Sequence, residues 1–304
     1  MSHPNAQIGW KAELNLSFEA SAYEHGSVSE KVTEKATNKT VLAKRSQSGP
    51  LTVQRPFYPE GDVCHLYILH PPGGVVGGDE LHINIDLSKQ ASTLITTPGA
   101  TKFYRSSNLG SSNLDNGGKL AHQIQTLKIA DGCALEWFPQ ENIFFDQTHT
   151  HLSTRIELEN SARFMGWEVN CYGRPASNEL FESGKVMSRL ELYRDGIPLI
   201  LDKLLVVNSD AMQSSVSMNG HPCFGTFIAT DVTEELLEKA RLSVAEFSKQ
   251  EQQQIGMTLL DDLLVVRCLG QYAEQVSTTL KAVWSILRPE VMNRPICLPR
   301  IWST

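Results

Sequence analysis

Apolar residues at positions 10, 12, 14, 16 and 18 alternate with mostly polar ones, which is the period of a half-buried strand. Further strand-like runs lie at 63–69, 81–87, 91–97, 133–138, 152–158 and 186–192. Asp195-Gly196 follows the last of these and precedes the apolar run 197–207, and both residues tolerate positive φ, so the pair predicts a tight hairpin. Residues 223–230 add one more strand, and 257–269 read as a hairpin turning near Asp261 and Asp262. Helical periodicity is confined to two stretches. Asp231-Val-Thr-Glu234 offers an acidic N-cap with Glu three residues on, before Leu236, Leu237, Ala240 and Val244. Tyr272, Val276, Leu280, Val283 and Leu287 share one face as far as Arg288-Pro289, where proline predicts the helix end. Short strands separated by turns, without alternating helices, predict a mainly β fold of sandwich, barrel or solenoid type.

Polar residues 24–40 show no clear period, Ser46-Gln-Ser-Gly-Pro50 predicts a turn, and Pro56 and Pro59 exclude a helix interior beyond it. No linker or repeat divides the 304 residues, so a single domain over 1–304 is expected.

The densest punctuation is His70-Pro-Pro-Gly-Gly-Val-Val-Gly-Gly-Asp79, between the runs 63–69 and 81–87. Gly73 and Gly78 have the spacing that opens a phosphate-binding loop. Asp79-Glu80 stands where such a loop needs Lys and Ser or Thr, and a strand pattern follows where it needs a helix N-terminus. The glycines therefore predict a tight turn rather than a nucleotide site.

The formal charge of -7, from 34 acidic and 27 basic residues, removes any general attraction to nucleic acid or anionic membrane. Six scattered cysteines without a Cys-x-x-Cys pair read as reduced thiols. The first residues have neither a basic nor an apolar region of a secretory signal, and the run 197–207 is too short and too charged to span a bilayer. A cytoplasmic protein is expected.

Several side chains could carry chemistry. Lys102 and Arg105 are too few cations for nucleic acid and more plausibly meet local carboxylates or a partner. Leu135-Glu-Trp-Phe-Pro-Gln-Glu-Asn-Ile-Phe-Phe-Asp146 places three carboxylates among large aromatics. Glu136 or Glu141 with a second acid could serve a carbohydrate-active enzyme of the glycosidase type, which is the alternative function for this chain; the same residues could instead sit in structural ion pairs or along a metal path. His149 and His151 share a strand face but lack an evident third ligand, so a solvated face is the simpler expectation. Nothing resembles Gly-x-Ser-x-Gly, so acyl transfer is not expected.

Five segments occur in order: "HPPGGVVGGD", "TTPGATKFYRS", "LEWFPQENIFFD", "YGRPASNELFESG" and the ending "LPRIWST". With them the chain, from about Gly9 to Thr304, resembles the UreD (also UreH) family of urease accessory proteins. The resemblance implies a two-layer, solenoid-like β body carrying two helices. It also implies a non-enzymatic scaffold that joins UreF and UreG on the urease apoprotein, with a possible homodimer in the complex. Nickel would be inserted with GTP hydrolysed by another subunit, so no tightly bound cofactor is expected and nickel passes transiently. Asp79, Glu136, Glu141 and Glu179 lie in these segments and are the carboxylates expected along the nickel path. Weak oxygen ligands suit that role, because a closed cage of imidazole or thiolate would release the ion slowly. A plain protein-binding module without a metal role is a third possibility. The segment 106–125 is longer and more polar than the family pattern.

Overall fold

The computed structural model describes residues 9–22, 38–106, 119–250 and 253–303. In chain order its strands begin with β1 (Lys11–Ala22), β2 (Asn38–Ser48), β3 (Thr52–Val53), β4 (Cys64–Leu69), β5 (Glu80–Ser88), β6 (Ser92–Thr96) and β7 (Thr101–Phe103). They continue with β8 (Ala121–Ile129), β9 (Ala134–Phe138), β10 (Asn142–Phe144), β11 (His149–Leu158), β12 (Arg163–Tyr172), β13 (Lys185–Arg194) and β14 (Ile197–Val207). Helix α1 (Asn208–Gln213) precedes β15 (Cys223–Ala229), α2 (Glu234–Gln250), β16 (Gln254–Leu260), β17 (Leu263–Gly270) and α3 (Ala273–Val291).

The expected mainly β, two-layer body is what these elements form. The seven-stranded first sheet has the order β14-β13-β11-β8-β5-β1-β2. The ten-stranded second sheet runs β16-β17-β15-β12-β9-β6-β4-β3, with β10 pairing β12 and β7. Between β4 and β13 the longer strands alternate between layers. β4, β6, β9 and β12 are parallel neighbours in the second sheet, and β5, β8, β11 and β13 are parallel neighbours in the first. Parallel neighbours cannot be joined by a hairpin, and here the crossover between them is a strand of the opposite layer.

The first sheet is solvated on its outer face. In β11 every second residue is buried, which is the alternation that made it readable. The second sheet is covered on both sides, so β9 is buried throughout. Its outer face meets Val276, Leu280, Val283, Trp284 and Leu287 of α3, together with Leu237 and Ala240 of α2, in a second apolar core. No helix among the described residues is long and apolar enough to cross a membrane.

Several local expectations change. The N-cap of α2 is Thr233, whose Oγ1 accepts from Leu236 N at 3.3 Å, while Asp231 takes a left-handed turn with φ 58°. Helix α3 does not stop before Pro289 but runs to Val291. The proline falls in its last turn, which is anchored by the buried Arg288 side chain. The short α1 was not expected, nor were β2, β8 and β12. Residues 24–37 and 107–118 of the two polar stretches lie outside the described residues; β2 and β8 begin at their far ends. The Asp195-Gly196 hairpin is present, with φ of 50° and 77°.

Candidate functional site

The glycine loop is folded against β7. Val75 N donates to Lys102 O at 2.7 Å, and Tyr104 N donates to Val75 O at 2.8 Å. A Cβ on Gly74 would lie 2.4 Å from the Tyr104 ring and 2.7 Å from Lys102 O, so only glycine allows this approach. Asp79 closes the loop. Its Oδ1 accepts from Trp10 N at 3.1 Å and its Oδ2 from Val76 N at 3.0 Å. The strand β5 follows directly, so no helix N-terminus faces the glycines.

This loop and the next two family-like segments, distant in sequence, meet at one opening. His70 and Pro71 come from the first, Thr97 to Thr101 from the second, and Trp137, Pro139 and Asn142 from the third. Behind them lies a cavity of about 470 Å³ between the two sheets. Much of its wall is apolar, but Gln123 and Gln125 of β8, Thr154 of β11, Glu168 of β12 and Thr226 of β15 face it. A second cavity of about 430 Å³ shares Leu190, Thr226 and Ile228 with the first and extends toward the edge strands β14 and β16. Arg267 donates to Asp202 Oδ2 there at 2.7 Å.

Glu168 is the one carboxylate among the residues lining the larger cavity. Asn170 Nδ2 donates to its Oε1 at 2.7 Å, and Thr154 Oγ1 to its Oε2 at 3.5 Å. Burial pushes its pKa up, against these hydrogen bonds and with help from Asp202. Part of the side chain nevertheless stays accessible, because it borders a space wide enough for water. At the opening, burial lowers the His70 pKa despite nearby Asp79, which keeps a neutral imidazole with a lone pair available.

The four carboxylates expected along a metal path are not brought together. Asp79 is buried and both its oxygens bind backbone amides. Glu136 points to the other side of the second sheet, beneath α3. Its Oε1 accepts from Trp284 Nε1 at 2.8 Å and Arg288 Nε at 3.0 Å, and its Oε2 accepts from Arg288 Nη2 at 3.0 Å. Glu179 is exposed and paired with Arg174, whose Nε donates to it at 2.6 Å. Glu141 reaches the cavity only through its backbone: its carbonyl accepts from Thr101 N at 2.9 Å and its neighbour Asn142 lines the wall, while its own side chain is not a lining residue and its charge acts on Lys281 of α3. A glycosidase needs two facing acids, and the larger cavity has one.

His149 and His151 are half-buried on the outer face of the first sheet, as a solvated strand face requires. The neighbour of His151 is His122 of β8, at 5.7 Å between ring centroids. Glu168 was missed because β12 was not read as a strand. The available signal was one charge inside Phe164-Met-Gly-Trp-Glu-Val-Asn-Cys-Tyr172, an apolar strand where an acid needs a polar space to face.

Fold and site together define a two-layer β protein built around a polar-floored interior cavity, without Ser, Cys or a second acid on the wall of its larger chamber. Residues 25–303 match the family described as UreD urease accessory protein. The chain is 44% identical to the urease accessory protein UreD of Alcanivorax borkumensis, over 97% of this chain and 93% of that one. It is 40% identical to UreD of Aliivibrio fischeri, over 97% of each chain, and 39% identical to UreD of Escherichia coli, over 97% and 98%. The chain belongs to the UreD family of urease accessory proteins.

Proposed function

We propose that this protein is a non-enzymatic, cytoplasmic scaffold that passes Ni²⁺ toward urease through its interlayer cavity. The observation that carries the reading is the convergence of three separated segments on one opening, with an acid, two amides and two hydroxyls behind it. Such oxygen donors hold a divalent ion weakly enough to let it go. His70 receives the ion at the opening and Glu168 supplies the charge inside; Glu141, on the α3 side of the second sheet, adds a carboxylate beside the path. Asp79, Glu136 and Glu179 act on the path indirectly, by fixing the loop, the α3 contact and the surface turn.

UreF, UreG and the urease apoprotein are the proposed partners, a homodimer within their complex is compatible with the exposed edges, and GTP is hydrolysed by another subunit. The edge strand β14 supports docking, since Ile197, Leu199, Leu201, Leu205 and Val207 are all exposed on it. The test is nickel per urease active site at limiting nickel, together with recovery of the complex by pull-down. Glu168→Gln is expected to lower nickel loading while the complex is recovered normally. Normal loading would reject Glu168 as a path residue.

A further inference from the structure

A second cluster of donors lies away from the interlayer cavity, where the chain after α3 crosses the start of β4. Glu60, His65 and Cys297 each place one potential ligand atom within 4.8 Å of the other two. No other set of three His, Cys, Asp or Glu residues among the described residues meets that separation. We propose that these three side chains form a resident site for a zinc-class divalent ion, which staples the segment after α3 to β4.

The site is held in place by groups that do not belong to it. Glu60 sits in the turn closed by Gly61 N donating to Tyr58 O at 3.2 Å, and His65 is fully buried in β4. Cys297 is carried by a segment tied down on both sides. Arg294 Nη1 and Nη2 donate to Asp62 at 2.8 and 2.7 Å, and Trp302 Nε1 donates to Thr96 Oγ1 at 3.4 Å. The donors therefore meet because the fold brings them, with little left to order on binding.

Two polar atoms there have no partner. Glu60 Oε2 and His65 Nδ1 are buried and make no hydrogen bond, although Glu60 Oε1 is 2.6 Å from His65 Nε2 and accepts from Arg288 Nη2 at 2.7 Å. An unsatisfied buried carboxylate oxygen is costly unless something binds it, and Glu60 Oε2 is the atom that an ion held through His65 Nε2 would satisfy; Nδ1 lies on the far side of the ring. The Arg288 cation does not leave the site positive, because Glu136 accepts from its Nε and Nη2 and balances its charge, while Nη1 donates to the Pro295 carbonyl. On binding, the thiol proton is released to solvent and the thiolate sulfur, a carboxylate oxygen and an imidazole nitrogen enclose M²⁺. Carboxylate and thiolate then balance the two positive charges. One sulfur, one nitrogen and one oxygen are the donors of a tetrahedral zinc site whose fourth position is left to water.

A thiolate and an imidazole hold their ion more tightly than oxygen donors alone, which sets this three-ligand site apart from the weak donors of the interlayer cavity. The ion would lock the segment that carries Trp302 onto Trp167, a residue of the cavity wall at 5.2 Å between ring centroids.

The test uses the purified full chain, stripped of metal and titrated with Co²⁺ as a spectroscopic stand-in and with Zn²⁺. One equivalent of Co²⁺ is expected to give a near-ultraviolet thiolate-to-cobalt charge-transfer band, and Zn²⁺ is expected to abolish it. Cys297→Ser should lose the band and bind Zn²⁺ more weakly by about 100-fold or more, beyond the effect of losing an outer partner of a ligand, with unchanged far-ultraviolet circular dichroism. Independently of any variant, one equivalent of Zn²⁺ should slow alkylation of Cys297 in the native wild-type chain by about tenfold or more; the other five cysteines are buried. Absence of the band, its persistence in Cys297→Ser, or unchanged alkylation of Cys297 would overturn the proposal.

Discussion

Glu136 and Arg288, 152 positions apart in the chain, form a buried two-point ion pair, with Arg288 Nε 3.0 Å from Oε1 and Nη2 3.0 Å from Oε2. It joins the middle of the second sheet to the last turn of α3. Burial opposes the guanidinium charge, but the bonds to Glu136 and Glu60 raise the Arg288 pKa and keep it ionised. Removing Glu136 leaves the buried Arg288 cation with Glu60 as its single carboxylate partner and its Nε without one. Glu136→Ala is therefore expected to cost about 3 to 5 kcal/mol in urea unfolding and to deplete folded protein together with urease activation. Excess nickel should not rescue it.

The pH dependence of Glu168 has the opposite sign from that of a paired carboxylate. Its folded pKa is raised, chiefly by burial, so the stability it allows is fully present below the ordinary glutamate range, where both folded and unfolded chains hold the proton. As pH rises through the raised value, the unfolded chain has already released its proton and the fold is penalised. Glu168→Gln cannot ionise. It is expected to match wild type in thermal unfolding at about pH 4 and to unfold at a higher temperature near pH 8. Greater stability combined with poorer nickel loading would mark a residue retained for transport at the expense of the fold.

Asp79 and Glu141 should separate cleanly. Asp79→Ala removes two charge-assisted bonds to backbone amides of a glycine-rich loop, with an expected cost of about 2 to 4 kcal/mol. Glu141→Gln, whose half-buried side chain lies toward Lys281 of α3, should change stability by no more than about 0.5 kcal/mol. Denaturant titration reads both. A reduced nickel load in Glu141→Gln at limiting nickel, relieved by excess, would place it on the path.

The glycine loop runs into a strand and has Asp79 where a phosphate-binding lysine would stand. Calorimetry of the isolated chain with GTP is expected to show no binding at micromolar concentrations. Micromolar affinity would contradict this reading of the loop.

Strand β14 leaves an apolar edge open, with Ile197 and Leu201 about two-thirds exposed. The isolated chain is expected to aggregate as concentration rises, and Leu201→Lys should raise its soluble yield while weakening capture by UreF. A monodisperse wild-type monomer at high concentration would count against an exposed sticky edge.

Two kinds of strand could be read from the sequence: short continuous apolar runs such as β4, β9 and β15, buried nearly throughout, and strands whose two faces meet different surroundings. β1, β5 and β11 alternate because one face is core and the other water. β8 hides the same alternation by inversion: Gln123 and Gln125 point inward to the cavity while Ile124 lies half-buried outside. A polar inward face is invisible to a pattern that equates inside with apolar. β12 is apolar on both faces because helices cover one and the core the other, so only Glu168 betrays its register. The carboxylates of the family-like segments were legible as residues but not as geometry. Nothing local to Glu136 indicates that Arg288 will arrive from 152 positions away.

The way residues 288–302 reach back has a consequence for synthesis. Arg288 closes on Glu60 and Glu136, Arg294 on Asp62, and Trp302 on Thr96, so the segment made last completes contacts begun as many as 232 positions earlier. A growing chain stalled on the ribosome before position 288 lacks the cover of its second sheet, and it should remain open to protease and to holdase chaperones until α3 emerges. Maturation of the nickel enzyme would then depend, at its earliest step, on how quickly this protein's final helix clears the exit tunnel.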